Sequence, residues 1–312
     1  MPPPADSHFR RRNPADMPGT FRVFRRSLSD YLLRTGQITE VATRNSPEGL
    51  ERAWGWHGAW MEHLAATAAE DWVAETADGQ IVGWAQSIER DGLLELTFFF
   101  VDPEVRTKGI GRGLLERAFP PDRGDSRVIS ATLDTAAVSL YLRFGVRYAA
   151  TTIDFLGKPA ASLIATDLAI ERVEPGTEDA AERAIVVVER ELLGHGRSED
   201  TRFLLGNRPA WLARRGGQVV GMAFGTSAAD MSGPIGALDP TDLPALMATV
   251  ENDATARGVE ELGFTIPMIN RTALDFVLSR RFQVDTFYTF VLSSDDRMQL
   301  DRWVQTQPSF IL

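Results

Sequence analysis

Val101-Asp102-Pro103-Glu104-Val105-Arg106-Thr107-Lys108-Gly109-Ile110-Gly111-Arg112-Gly113-Leu114-Leu115 joins a phenylalanine-rich strand pattern to an apolar helix pattern. Glycines at a strand-to-helix turn let the main chain bend tightly and aim its N–H groups outward. The first turn of a helix has donors without an intrahelical partner and a partial positive charge, which together attract phosphate. Arg106, Lys108 and Arg112 add full charges at the same place. Two other phosphate loops fit worse. A dinucleotide fingerprint starting at Gly109 and Gly111 needs a third glycine where Leu114 stands, and no Gly-Lys-Ser/Thr loop occurs. The plain alternative is a glycine-rich surface turn.

This segment resembles motif A of the GNAT superfamily of N-acetyltransferases, Arg/Gln-x-x-Gly-x-Gly/Ala, through Arg106, Gly109 and Gly111. Val-x-Pro before it and Leu114-Leu115 after it strengthen the match. The resemblance implies acetyl-coenzyme A (acetyl-CoA) as cosubstrate, its pyrophosphate held by Arg106, Thr107, Lys108, Gly109, Ile110, Gly111 and Arg112. It also implies that the preceding strand splays from its neighbour, so that Phe99, Phe100 and Val101 offer a free backbone edge to the pantetheine amides. Phe98, Phe99 and Phe100 read equally well as core, and both roles are compatible.

A second segment, residues 134–146, Asp-Thr-Ala-Ala-Val-Ser-Leu-Tyr-Leu-Arg-Phe-Gly-Val, is similar to the family's motif B, Asn-x-x-Ala-x-x-Leu-Tyr followed three residues later by Gly-Phe. Ala137, Leu140, Tyr141 and Gly145 match, while Asp134 replaces the Asn and Val146 the Phe. Asp134 can accept a hydrogen bond from a cofactor amide but cannot donate one when ionised. Tyr141 is the candidate general acid, since a phenol with a pKa near 10 suits protonation of a departing thiolate; a structural tyrosine is the alternative. Glu95 is the candidate base, acting through a water from the strand before the loop. Alternation puts Glu95, Thr97, Phe99 and Val101 on one face. A salt-bridged strand glutamate is the competing reading, with Glu75, Glu89 or the carboxylate of Leu312 as other sources of a base.

With 312 residues, 44% of them hydrophobic, the chain is long enough for two cored domains. There is no cysteine, which excludes disulfides and thiolate chemistry. The four histidines show no metal-ligand spacing, so no metal is expected. No apolar signal segment opens the chain and no apolar run is long enough to cross a bilayer, so a cytoplasmic protein without a membrane partner is expected. Net charge is −10 and uneven: 19 basic and 21 acidic residues through Lys158, then 14 and 22. That balance argues against nucleic-acid binding and mildly favours a cationic acceptor. Arg10-Arg11-Arg12 and Arg25-Arg26 read as solvated faces.

The chain nearly repeats itself. Gly79-Gln80-Ile81-Val82-Gly83-Trp84-Ala85 matches Gly217-Gln218-Val219-Val220-Gly221-Met222-Ala223, Val101-Asp102-Pro103 matches Leu238-Asp239-Pro240, and Asp134-Thr135-Ala136-Ala137 matches Asn270-Arg271-Thr272-Ala273. Gly145-Val146 then corresponds to Arg281-Phe282. The reading is two tandem GNAT folds of mixed α/β class: a catalytic, acetyl-CoA-binding domain over 1–157, a linker over 157–166, and a degenerate copy over 167–312. The positions of Arg106, Gly109, Gly111 and Tyr141 become Leu243, Leu246, Ala248 and Val277 in the second copy. In the first copy, strands are expected near 7–12, 71–76, 80–90, 93–101, 127–133 and up to 156, with helices near 16–35, 48–66, 109–119 and 134–144. Second-copy helices are expected near 178–193, 241–257 and 271–280, followed by a tail over 296–312 whose Trp303 and Phe310 dock on a domain surface. Trp54, Trp56, His57 and Trp60 on the second helix pack into the core, line an acceptor pocket or meet the other domain.

These readings converge on an acetyl-CoA-dependent N-acetyltransferase working by direct attack in a ternary complex, because no cysteine is present to carry an acetyl group. The acceptor is a primary amine, with a small molecule ahead of a peptide N-terminus or lysine, and the protein a monomer or homodimer. The alternative is a non-catalytic acyl-CoA sensor or interaction module; a nucleotide-binding α/β protein ranks third.

Overall fold

A computed structural model describes residues 7–105, 109–226 and 230–306. The elements run β1 (His8–Arg11), α1 (Met17–Arg34), α2 (Ala42–Asn45), α3 (Pro47–Ala66), β2 (Ala68–Glu75), β3 (Ile81–Arg90), β4 (Leu93–Val101), α4 (Ile110–Ala118), β5 (Ser126–Ala131), α5 (Thr135–Arg143) and β6 (Arg147–Gly157). There follow β7 (Ala169–Arg172), α6 (Glu178–Leu193), α7 (Ser198–Asn207), β8 (Ala210–Arg215), β9 (Gln218–Phe224), β10 (Asp230–Ser232), β11 (Ile235–Ala237), α8 (Leu243–Ala256), β12 (Leu262–Pro267), α9 (Arg271–Ser279), β13 (Gln283–Ser293) and β14 (Trp303–Val304). The chain divides into two compact units. The first takes the residues up to Glu89, then Leu93–Ile129 and Leu133–Arg147; the second takes Arg90–Gly92, Ser130–Thr132 and everything from Tyr148.

In the first unit the sheet order is β1-β2-β3-β4-β5. β1 and β3 flank β2 antiparallel, and β5 lies parallel to β4. The parallel step requires a crossover, and α4 supplies it. That helix buries Ile110, Gly113, Leu114, Leu115 and Ala118, the spacing of one helical face. It can lie close because a Cβ on Gly83 of β3 would sit 2.8 Å from Leu114 Cδ1. On α1, Phe21, Phe24, Tyr31 and Leu32 are buried. α3 starts where Ser46 caps the Gly49 N–H at 3.1 Å with Pro47 at the first turn.

The basic clusters are not simply solvated. Arg10 pairs with Asp16 at 2.6 Å and Glu75 at 2.7 Å, and Arg12 with Asp71 at 2.6 Å. Arg25 is only 7% exposed. The strand β1 brings Arg10 and Arg12 beside carboxylates of β2, distant in sequence, which charge counting along the chain cannot see. Trp60 and Trp56, four residues apart, also part company. Trp60 is buried against Phe98 at 5.7 Å, whereas Trp56 is 65% exposed.

In the second unit one sheet runs β14-β11-β9-β8-β7, and β6 pairs antiparallel with β12, which is parallel to β10. β6, read as the last strand of the first copy, therefore belongs to this unit: Phe155 stands opposite Phe264 and Asp154 opposite Thr265. Alternation specifies a strand and its faces, but not its partner. The expected tail contributes β14, antiparallel to β11, and its Trp303 is fully buried rather than resting on a surface. Phe310 lies outside the described residues. The core gathers around Leu243, Leu246, Met247 and Val250 of α8.

The two copies share local devices. Gly79 and Gly217 both have positive φ. Asp134 caps α5 and Asn270 caps α9. A Cβ on Gly221 would meet Leu246 Cδ1 at 2.9 Å, as one on Gly83 would meet Leu114. Gly145 and its counterpart Arg281 both take left-handed backbone after a helix.

Candidate active site

The site begins where β4 leaves β5. Their register runs from Leu93 opposite Ser126 to Leu96 opposite Ile129, and β4 continues to Val101. Its end is held from the other side. Asp102 donates its N–H to the Val82 carbonyl at 2.9 Å, and Ser27 Oγ donates to the Val101 carbonyl at 2.7 Å. Aromatic packing fixes the strand further: Phe98 stacks on Trp84 at 4.1 Å, and Phe100 meets Phe24 at 5.0 Å. Beyond Leu96 the backbone is thus anchored by α1 and β3 while β5 has diverged. Ser27 was absent from the sequence reading; a single helix serine carries no signal of such a contact.

At the start of α4, Gly109 takes φ 82° and ψ −5°, left-handed backbone that a side chain resists. The first intrahelical bond is Gly113 N–H to the Gly109 carbonyl at 3.0 Å, so the N–H groups of Ile110, Gly111 and Arg112 precede it. Among the described residues no side chain caps this end. Gly111 sits tightly: a Cβ there would lie 3.2 Å from Phe99 Cζ and 3.5 Å from Leu140 Cδ1. Gly113 accommodates the Phe9 ring, which a Cβ would approach to 2.4 Å. Arg112 pairs with Glu116 at 2.8 Å. Arg106, Thr107 and Lys108 lie outside the described residues.

α5 closes the third side. Asp134 accepts from the N–H groups of Ala136 and Ala137 at 3.1 and 3.2 Å, and Arg34 Nη2 pairs with its other oxygen at 2.8 Å. The cap fixes the helix start and so the direction of Tyr141. Tyr141 is buried, and its ring meets Phe99 edge-on at 5.6 Å. Burial, and secondarily the Asp134 charge, raise the phenol pKa well above the ordinary 10.0. Such a phenol keeps its proton at physiological pH, so it is a hydrogen-bond donor and not a base. Phe99 thus touches both the α4 glycine turn and Tyr141.

Glu95 stands opposite Val128 of β5, inside the paired part of β4, and is 2% exposed. The alternative carboxylates are held in ion pairs: Glu75 by Arg10, and Glu89 by Arg123 at 2.9 Å. The Arg10 hydrogen bond also lowers the Glu75 pKa, which weakens it as a base. Leu312 lies outside the described residues.

The corresponding turn of the second copy is differently built. Asp239 accepts from the Thr241 N–H at 2.9 Å, and Asp242, buried, pairs with Arg215 at 2.8 Å. α8 then starts at Leu243, with Leu246 and Ala248 packed in the core. Two carboxylates and a buried helical turn leave no comparable cradle for a phosphate among the described residues.

Residues 69–147 match the acetyltransferase (GNAT) domain family model, and this stretch of the chain is a GNAT domain. Solved structures share the fold over nearly the whole chain. A putative acetyltransferase from Pyrococcus horikoshii is 16% identical with a TM-score of 0.68, covering 96% of this chain and 93% of its own. A GCN5-related N-acetyltransferase from Sphaerobacter thermophilus is 18% identical with a TM-score of 0.59, covering 92% and 95%. A tandem GNAT protein from the clavulanic acid biosynthesis pathway is 12% identical with a TM-score of 0.54, covering 92% and 98%. The architecture is thus two tandem GNAT folds of mixed α/β class. No curated protein matches the sequence. Among the described residues no helix is long and apolar enough to cross a membrane.

Proposed function

We propose that this protein moves an acetyl group from acetyl-CoA to the primary amine of a small molecule by direct attack in a ternary complex. The copy over 1–157 binds both substrates, and the copy over 167–312 is a degenerate support. The observation that carries this reading is the left-handed Gly109 at the start of α4, where no side chain among the described residues caps the helix, beside the edge of β4 past Leu96. The N–H groups of Ile110, Gly111 and Arg112, with Arg106, Thr107, Lys108 and Gly109, form the pyrophosphate cradle. Phe99, Phe100 and Val101 pair through their backbone with the pantetheine amides, and Asp134 borders the same edge.

Acetyl-CoA supplies an acetyl thioester. The amine nitrogen forms a bond to the acetyl carbon, and the carbon–sulfur bond breaks. Glu95, through a water, receives the amine proton, and Tyr141 gives its proton to the thiolate. The edge-on contact of Tyr141 with Phe99, at the free edge of β4, supports that assignment. We place the protein in the cytoplasm, as a monomer or homodimer, with no metal. Thiol release from acetyl-CoA is the test, run with a panel of primary amines. Turnover with at least one amine is expected. Tight acetyl-CoA binding without turnover on any amine would instead support a sensor, and absence of binding would refute both.

A further inference from the structure

α1, α2 and α3 of the first unit border an open pocket of about 260 Å³ lined by Arg25, Thr43, Arg44, Arg52, Trp56 and His57. At ~30 Å³ per water it holds several waters or one small anion. It depends on a close helix approach, since a Cβ on Gly49 would lie 2.2 Å from the Thr43 carbonyl oxygen. Arg25 is 7% exposed, and its Nε has no hydrogen-bond partner among the described residues; Arg44 Nε is in the same condition. Arg25 Nη2 donates a long, 3.5 Å bond to the Arg44 carbonyl oxygen.

Counter-charge is sparse. Glu40 lies near Arg44 and Glu48 near Arg52, and both carboxylates face solvent. Among the described residues no carboxylate offsets the Arg25 charge, and its pKa is pushed down to about 10 by burial and by Arg44. His57 shares the field: burial, then Arg25 and Arg44, lower it to about 4, so it stays neutral. A buried guanidinium without an anion is costly, and planar N–H forks match carboxylate and phosphate oxygens.

We propose that this pocket is a binding site for the oxyanion group, phosphate or carboxylate, of a small ligand, held by Arg25, Arg44 and Arg52 with Trp56 as its apolar rim. The site is separate from the start of α4 and stands independently of the acetyl-transfer reading. The test titrates the full chain with inorganic phosphate and, separately, with acetate. The readout is the Trp56 indole N–H resonance, assigned with Trp56→Phe, against sodium chloride of equal ionic strength. Saturable movement is expected with at least one probe, and which one identifies the group. Arg44→Gln and Arg52→Gln should each weaken binding about tenfold or more while thermal melting stays near that of the parent. Arg52 is exposed, so its variant keeps the test valid if Arg44→Gln or Arg25→Gln fails to fold. No movement beyond the chloride control, or unchanged affinity in both variants, overturns the proposal.

Discussion

Gly109→Ala isolates the backbone geometry on which the proposed cofactor site rests. The residue has φ 82°, and a Cβ there would meet nothing within 4 Å. The substitution therefore adds no clash, only the strain of left-handed backbone, about 1–2 kcal/mol. That energy has two outlets. If the turn holds its shape, the strain appears as lost stability, a fall in melting temperature of about 2–4 °C per kcal/mol for a unit of this size. If the turn relaxes, the N–H groups of Ile110 and Gly111 rotate away and acetyl-CoA affinity falls, by about tenfold for each 1.4 kcal/mol.

Gly36 provides the control. It has φ 74°, equally open surroundings, and a place in the turn that follows α1. Gly36→Ala should cost similar stability and leave acetyl-CoA binding unchanged. Gly109→Asn should fall between Gly109→Ala and the parent, because asparagine tolerates this region better than alanine. Calorimetric titration with acetyl-CoA and thermal melting, run on all three variants, separate the outlets. An unchanged acetyl-CoA affinity and an unchanged melting temperature in Gly109→Ala would refute the reasoning outright.

Three further outcomes are expected. Tyr141→Phe should lower kcat by about a hundredfold or more with little change in acetyl-CoA affinity, read by thiol release under saturating substrates. An equal kcat would remove Tyr141 from the chemistry. His57 and His195 both have pKa values lowered from 6.5 to about 4 by burial, so the unfolded chain binds protons the folded one refuses across that window. Their contribution is complete above pH 6.5 and is lost as pH falls toward 4, so melting temperature should drop over that range and drop less in His57→Phe and His195→Asn. Finally, Arg90 holds Asp200 through bonds of 2.9 and 3.0 Å inside the second unit, where Asp200 is fully buried. Arg90→Met should destabilise by about 3 kcal/mol in denaturant titration, and adding Asp200→Leu should recover most of it; equal losses in both variants would contradict that account.

What was legible in the sequence follows from the range of each signal. β4 occupies Leu93–Val101 as its apolar run suggested, and α5 starts at Thr135 behind the Asp134 cap, because strand pattern and capping chemistry are local. Gly109 was legible for the same reason: a strand-to-helix turn needs a residue that accepts positive φ. The partner of β6 was not legible, since a run of alternating residues fits the edge of any sheet whose face it can complete. Nor was α7, whose Ser-Glu-Asp-Thr-Arg start carries no apolar stripe and whose buried Asp200 pairs with Arg90, 110 residues away. Arg25 failed as well, because only the approach of α2 and α3 turns an exposed arginine pair into one buried and one surface charge.

The two copies sharpen that distinction between scaffold and chemistry. Both keep the glycine that lets a helix lie on its strand, Gly83 and Gly221, and both keep a polar cap, Asp134 and Asn270. Those devices serve folding, and they persist where the site residues do not. At the proposed phosphate turn the copies diverge: Gly109 starts α4 with left-handed backbone, while Asp239 caps the short turn before α8 and the buried Asp242 pairs with Arg215. Carboxylates near a helix start favour the same dipole that would attract a diphosphate. A diphosphate at the start of α8 would meet these carboxylates already in place. Restoring glycine at Leu246 alone would therefore leave the second copy without acetyl-CoA binding, since the aspartates would still repel the phosphate and the α8 core would lose a buried leucine.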